Sequence, residues 1–195
     1  MNPQLRTFVC VGDEEVGKTS LLTVISKGNF PLEYQPVGLK KYTVAIEVKG
    51  EAIILELRDR PQNDDFPQYH VSADYSEVHG ILLCFSIEWQ DSLDNIPKLW
   101  SARARKFAPE TPQFLVGCKK DLRTDSDTLQ YLAGHGQVPV TYEQGEAMAR
   151  TIGATYRECS SLTGEGVREL LLEITGRMDA NKWNRPRKSS VCIVM

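Results

Sequence analysis

An α/β fold built around a mainly parallel sheet is predicted by three observations. Short apolar, β-branched segments alternate along the chain with segments of helical period, the pattern of repeated strand–helix–strand units. One pair of strands is separated only by a tight turn, so an antiparallel hairpin is expected at one edge of the parallel sheet. The 195 residues are 41% hydrophobic and 25% charged, enough apolar material for one substantial core and close to a globular average.

The first strand is expected at about Arg6 to Val11, followed by a glycine-containing loop and a helix through about Lys27. Tyr42, Val44, Ile46 and Val48 then alternate with polar neighbours, Lys49-Gly50 turns the chain, and Ile53, Leu55 and Leu57 return. Continuous apolar runs place buried strands at Ile81 to Ser86, Phe114 to Gly117 and Thr155 to Cys159. Helices are expected at about Ser92 to Phe107, Tyr142 to Ile152 and Gly166 to Met178. Two segments, Gly28 to Lys40 and Arg60 to Ser76, match neither period, and the second contains Pro61 and Pro67. Long loops inside a compact domain usually serve function.

A formal net charge of -3 argues against nucleic acid as a partner, since such proteins carry a strong basic excess. The five cysteines, Cys10, Cys84, Cys118, Cys159 and Cys192, are far apart in sequence and form neither CxxC pairs nor zinc-type clusters, which favours a reducing compartment. The N-terminus lacks a signal-peptide core, and the run Ile81 to Phe85 is too short to span a bilayer. Any membrane contact is expected to come from a surface patch or a lipid.

The loop after the first strand carries the strongest motif. Gly12, Gly17, Lys18 and Thr19 complete G-x-x-x-x-G-K-[ST], after a strand and before a helix. Glycines at these places let backbone N–H groups face phosphate oxygens, Lys18 can neutralise the outer phosphates, and the Thr19 hydroxyl can ligate Mg²⁺. A chance glycine-rich turn before Lys-Thr is the competing reading, and the strand-to-helix context disfavours it. The same loop holds two carboxylates, Glu14 and Glu15, beside the place where a polyphosphate would lie.

From about Thr7 to the C-terminus the sequence resembles the Rho family of small GTPases, in "VGDxxVGKTSLL", "FPxxYxPV", "LCFSIxxxDSLxNIPxxW", "VGCKKDLR", "ECSS" and the terminal "CIVM". The resemblance implies a P-loop nucleotide-binding fold with a six-stranded, mostly parallel sheet flanked by helices, and the nucleotide at the carboxyl ends of the strands. It implies one G domain over residues 1–179 with a helical insert near 125–137, then a flexible basic tail over 180–195. It also identifies the two unassigned loops as switch regions that read the γ-phosphate.

For the base, Cys118-Lys119-Lys120-Asp121 aligns with the family's N/T-K-x-D motif. Asp121 can accept two hydrogen bonds from guanine donors that adenine lacks, and the Lys119 stem can lie along the ring. Cys118 replaces a polar residue that braces the loop, and a thiol is a weak hydrogen-bonding partner. Ser160 and Ser161 keep the second base loop, with the Ser161 N–H facing the base oxygen, while Leu162 replaces a lysine. Phe30 keeps the aromatic beside the nucleoside, and Val16 and Ser20 complete the phosphate loop's share of the nucleotide contacts.

The resemblance also implies that the hydrolytic machinery is depleted. Glu14 replaces a glycine facing the γ-phosphate. Val37 replaces the switch threonine whose hydroxyl ligates Mg²⁺. The family's D-T-A-G-Q becomes Asp59-Arg60-Pro61-Gln62-Asn63. Asp59 can still hold the metal through water, Gln62 and Pro61 stiffen the hinge, and Asn63 is a short substitute for the water-orienting glutamine. Arg60 is either a compensating cation toward phosphate or, as is commoner beside such a loop, solvated.

The terminal Cys192-Ile193-Val194-Met195 reads as a C-a-a-X box, with Met favouring farnesylation at Cys192, behind Lys182, Arg185, Arg187 and Lys188. The expected protein is thus a GTP/GDP- and Mg²⁺-binding monomer, a signalling switch or platform at the cytoplasmic face of the plasma membrane with a cytosolic pool. Its partners by resemblance are exchange factors, effectors reading Tyr34 to Lys40 and Asp64 to Ser76, and a prenyl-binding chaperone. Two alternatives stand beside it: a pseudoGTPase scaffold holding GDP or no nucleotide, and an ATP-using P-loop transferase, disfavoured by Lys119 with Asp121.

Overall fold

The computed structural model describes residues 4–31, 40–48, 51–60, 75 and 77–176. Strand β1 (Gln4–Val11) leads through the glycine loop into helix α1 (Lys18–Lys27), and β2 (Lys40–Val48) with β3 (Glu51–Asp59) forms the hairpin. After β4 (Gly80–Ser86) come α2 (Gln90–Asn95), a π-helical turn at Ile96–Trp100 and α3 (Ser101–Phe107). Then follow β5 (Gln113–Cys118), a 3₁₀ turn at Lys120–Arg123, α4 (Ser126–Gly134), α5 (Tyr142–Ile152), β6 (Thr155–Glu158) and α6 (Val167–Gly176).

The strands form one six-stranded sheet in the order β2-β3-β1-β4-β5-β6. Only β2 and β3 pair antiparallel; β1 pairs parallel with β3 and β4, β4 with β5, and β5 with β6. The order reverses direction at β1, so the carboxyl ends of β1 and β4 open the crevice where ligands of such sheets sit.

Alternation along each strand feeds two cores. Phe8 and Cys10 of β1 join Leu82 and Cys84 of β4 on the face covered by α1 and α6, through Leu21, Leu22, Leu170 and Ile174. Val9 and Val11 join Leu83 and Phe85 on the other face, with Trp100, Ala104 and Ile152. Every residue of β4 is buried, as expected for a central strand covered on both sides.

The helix expected over Ser92 to Phe107 begins earlier, at Gln90, and is interrupted by the π turn. Pro97 lies at its start and offers no N–H, so the ladder slips to longer hydrogen bonds there. Strand β6 ends at Glu158, one residue before the expected end. Helix α4 lies between residues 125 and 137, and its N-cap Asp125 accepts a hydrogen bond from the Thr128 N–H at 2.9 Å. Helix α5 has its expected bounds and a full capping box between Thr141 and Gln144. The Lys49-Gly50 turn, most of both switch segments and the tail lie outside the described residues. Among the described residues no helix is long and apolar enough to cross a membrane.

Candidate functional site

The phosphate loop leaves β1 flush against β4. A Cβ on Gly12 would lie 2.1 Å from the Cys84 carbonyl oxygen, so only glycine fits this exit. Gly17, at φ 105°, turns the chain into α1 without capping it through a side chain, which leaves the N–H groups of the first turn for a ligand. Lys18 is 7% exposed and donates from Nζ to the Gly12 carbonyl at 2.9 Å and the Asp13 carbonyl at 2.5 Å. Its ammonium therefore bridges the mouth of the loop. Val16 is fully buried beneath, whereas Glu14 and Glu15 are exposed. Glu15 takes a left-handed φ of 59°. Ser20 follows on α1, half-buried.

The loop is held from the side by Asp13, a residue that motif reasoning passes over. Asp13 is 3% exposed and accepts hydrogen bonds from Asn95 Nδ2 and Trp100 Nε1, each at 2.7 Å. These donors stand at the two borders of the π turn. The signal was present in the sequence, as an acidic residue after Gly12 and a "NIPKLW" stretch, but nothing local joined them.

Thr19 and Asp59 do meet. The Thr19 hydroxyl donates to Asp59 Oδ2 at 2.5 Å, although 40 positions separate them. Their oxygens are the pair suited to a hard cation directly and through water. Asp59, at the end of β3 in register with Cys10, is 2% exposed. Arg60 departs from the solvated expectation: it is 5% exposed, and its N–H donates to the Cys10 carbonyl at 3.3 Å. The chain still runs along β1 at this point, which holds Arg60 inward. Val37, Pro61, Gln62 and Asn63 lie outside the described residues.

The base loops stand at the carboxyl ends of β5 and β6. Cys118 closes β5, Lys119 turns with a left-handed φ of 58°, and the 3₁₀ turn presents Asp121. Asp121 is half-buried, and its Oδ1, shielded from solvent, has no hydrogen-bond partner among the described residues. A carboxylate oxygen left in that condition costs free energy unless a ligand donor reaches it, which fits guanine's N–H groups. Lys119 Nζ is tied to Glu88 Oε1 at 2.6 Å, holding the stem in place. The Cys118 thiol donates to the Val116 carbonyl over a long 3.9 Å, in keeping with the weak brace expected of a thiol. A Cβ on Gly17 would lie 3.4 Å from that of Cys118, so the phosphate and base loops touch. Ser160 is fully buried, its hydroxyl accepting from the Thr163 N–H at 3.1 Å, and Ser161 is 9% exposed. Phe30 is half-buried just past α1.

A second unforeseen support lies behind the base loops. The Arg123 guanidinium grips Glu158 with two hydrogen bonds of 2.6 Å and also donates to the Val140 carbonyl. The Tyr156 hydroxyl donates to the same carboxylate at 2.5 Å. The carboxylate pushes the Arg123 ionisation upward, and burial followed by that hydrogen bond raises the Tyr156 phenol. Both groups thus keep their protons, and the 3₁₀ turn is fastened to β6.

Comparison with known proteins agrees with this geometry. The model of the Ras family matches residues 7–180. "GTP-binding protein RHO1" of Saccharomyces cerevisiae is 43% identical over 166 residues, covering 85% of this chain and 79% of the relative. The protein of the same name from Candida albicans is 39% identical, covering 97% of this chain and 96% of its own. "GTP-binding protein rho5" of Schizosaccharomyces pombe is 38% identical, covering 97% of each.

Proposed function

The chain belongs to the Rho family of small GTP-binding proteins, and from that premise we propose that it works as a membrane-anchored switch or platform with impaired hydrolysis of GTP. The observation that carries nucleotide binding is the buried, unpartnered Asp121 Oδ1 at the end of β5. It leaves one acceptor of the right kind waiting where the family reads guanine. Lys18 and the N–H groups of the loop would hold the phosphates, and Thr19 with Asp59 would hold Mg²⁺, which supplies charge neutralisation between the phosphates.

Impairment is supported by residue identity. Glu14 is an exposed carboxylate on the open side of the phosphate loop, and it opposes a triphosphate more than a diphosphate. Asn63 lacks the reach to orient water, and Val37 offers no oxygen to the metal. The protein therefore favours GDP and turns GTP over negligibly. Exchange factors, effectors at the switch segments and a prenyl-binding chaperone follow from membership, with Cys192 and the basic tail as the anchor.

A second reading, a pseudoGTPase scaffold, is favoured by Lys18, whose ammonium is already bound by the carbonyls of its own loop. Nucleotide extracted from the purified protein and identified by chromatography separates the two. Bound guanine nucleotide that exchanges for added GTP supports the switch, and GDP that does not exchange, or no nucleotide at all, supports the scaffold. Single-turnover cleavage of GTP then tests impairment, and brisk hydrolysis would overturn it.

A further inference from the structure

Four cysteines remote in sequence are brought together by the sheet. Cys10, Cys84, Cys118 and Cys159 are all buried as free thiols on the α1/α6 face, at the carboxyl ends of the adjacent strands β1, β4 and β5 and just beyond β6. The Cys10 and Cys84 sulfurs are 3.4 Å apart. The row runs directly beneath the phosphate and base loops, and none of the roles above uses these thiols for chemistry.

Cys118 and Cys159 are the pair best placed for a covalent link. The Cys159 N–H donates to the Gly117 carbonyl at 2.8 Å, and the Cys159 carbonyl accepts from the Lys120 N–H at 3.0 Å. Cys159 is therefore bonded to both sides of Cys118 and stands opposite it across the β5/β6 ladder, one step beyond the paired Gly117 and Glu158. Paired strands are about 4.8 Å apart, inside the Cα separation of about 4.4–6.8 Å that a disulfide accepts. By contrast, Cys10 is in register with Leu82 rather than with Cys84, a two-residue stagger. Hydrogen bonding from Cys159, then from Cys84, and the nearby Lys18 and Lys119 ammonium groups hold the Cys118 thiol below its usual range. Burial of Cys118 opposes that shift, but the net direction favours the nucleophilic thiolate at the residue nearest the nucleotide loops.

We propose that Cys118 and Cys159 form an oxidation site, closed to a disulfide by hydrogen peroxide, whose closure loosens the grip on the guanine base. The Cys118 thiolate attacks one peroxide oxygen, the O–O bond breaks, and sulfenic acid and hydroxide form. The Cys159 sulfur then attacks the Cys118 sulfur, the S–O bond breaks, and a second hydroxide leaves. The two thiol protons convert both hydroxides to water, and the sulfur pair gives two electrons to the peroxide.

The consequence for the base rests on the guanine reading above. Cys118 immediately precedes Lys119 and stands three residues before Asp121, and Cys159 immediately precedes the Ser160-Ser161 pair. Joining the two sulfurs shifts the roots of both base loops together. Loops that must place donors and acceptors within about 0.5 Å do not tolerate such a shift without loss.

The test uses the purified full-length chain. Reduced protein is treated with hydrogen peroxide, digested without reduction and mapped by mass spectrometry. A Cys118–Cys159 linked peptide, reversed by dithiothreitol, is expected. In Cys159→Ser, dimedone present as the peroxide-treated protein is unfolded should instead trap Cys118 as the sulfenic acid. Linkage through another pair, or four unchanged thiols in the wild type, overturns the site, whatever the variant does. Release of a fluorescent GDP analogue, measured on the same samples, should become about tenfold faster on oxidation, the loss of roughly one charged hydrogen bond. An unchanged release rate with the disulfide formed overturns the effect on the base. Failure of the reduced protein to bind the analogue counts against guanine recognition itself, while the peptide map still decides the thiol pair.

Discussion

Asp13 Oδ1 accepts a 2.7 Å hydrogen bond from Trp100 Nε1, tying the phosphate loop to the end of a π-helical turn across the interior of the protein. The second carboxylate oxygen is satisfied by Asn95 Nδ2 at the same distance, so the buried charge has a donor on each oxygen. The loop that must grip phosphate is thereby held by a contact that never touches a ligand.

Trp100→Phe keeps the ring in the core but deletes the indole donor. One oxygen of a buried carboxylate then goes unsatisfied, at a cost of about 1–3 kcal/mol. Chemical denaturation should show that loss, and guanine nucleotide affinity should fall with it because the loop loosens. Unchanged stability would mean that Asp13 finds another partner.

Asp121→Asn exchanges an acceptor for a donor on the side chain whose Oδ1 has no partner among the described residues. Competition binding should show weakened GDP and a shift of preference toward xanthine nucleotides. GDP affinity equal to that of the wild type would remove Asp121 from the base site.

Glu14→Gly should raise GTP affinity relative to GDP, with little gain in cleavage. Adding Gln62→Gly and Asn63→Gln should restore measurable single-turnover hydrolysis, incompletely while Val37 remains. If the single reversion leaves the GTP/GDP ratio unchanged, the carboxylate does not oppose the γ-phosphate.

Arg123→Met keeps the aliphatic stem and removes the guanidinium, stranding Glu158, whose side chain is only 4% exposed. Breaking a buried pair from one side costs about 3 kcal/mol. Thermal unfolding should report it, and the 3₁₀ turn carrying Asp121 should exchange amide hydrogens faster. The double variant Arg123→Met with Glu158→Gln should recover part of the loss, since no charge is then left unpaired.

Cys192→Ser should release the protein from membranes into the cytosol, and neutralising Arg185, Arg187 and Lys188 should weaken attachment in a salt-dependent manner. Fractionation of cells expressing the variants decides this. Retention of the Ser variant on membranes would exclude a prenyl anchor at that cysteine.

Much of the molecule was legible because its signals are local. The β4 run from Ile81 is apolar throughout because the strand is covered on both faces, and α5 matched its bounds because Thr141 and Gln144 announce its start. The expectation for Gly12, Gly17, Lys18 and Thr19 rests on a signal of the same kind, since a phosphate cradle is built from one short stretch of backbone. The Pro97 slip into a π turn was missed, since a continuous helical period masked the missing donor.

The sequence by itself determined the fold class and the order of the main strands and helices along the chain. Both follow from side-chain periodicity and from motifs in which the contributing residues are neighbours along the chain. Only the tertiary structure decided which distant residues meet: Thr19 with Asp59, Asp13 with Trp100, Arg123 with Glu158, and four scattered cysteines on one sheet face. The physical reason is that parallel pairing aligns strands separated by whole helices. A residue's neighbour across the ladder is set by register, which a hairpin turn fixes locally but which strands joined through a helix settle only when they pack into the sheet.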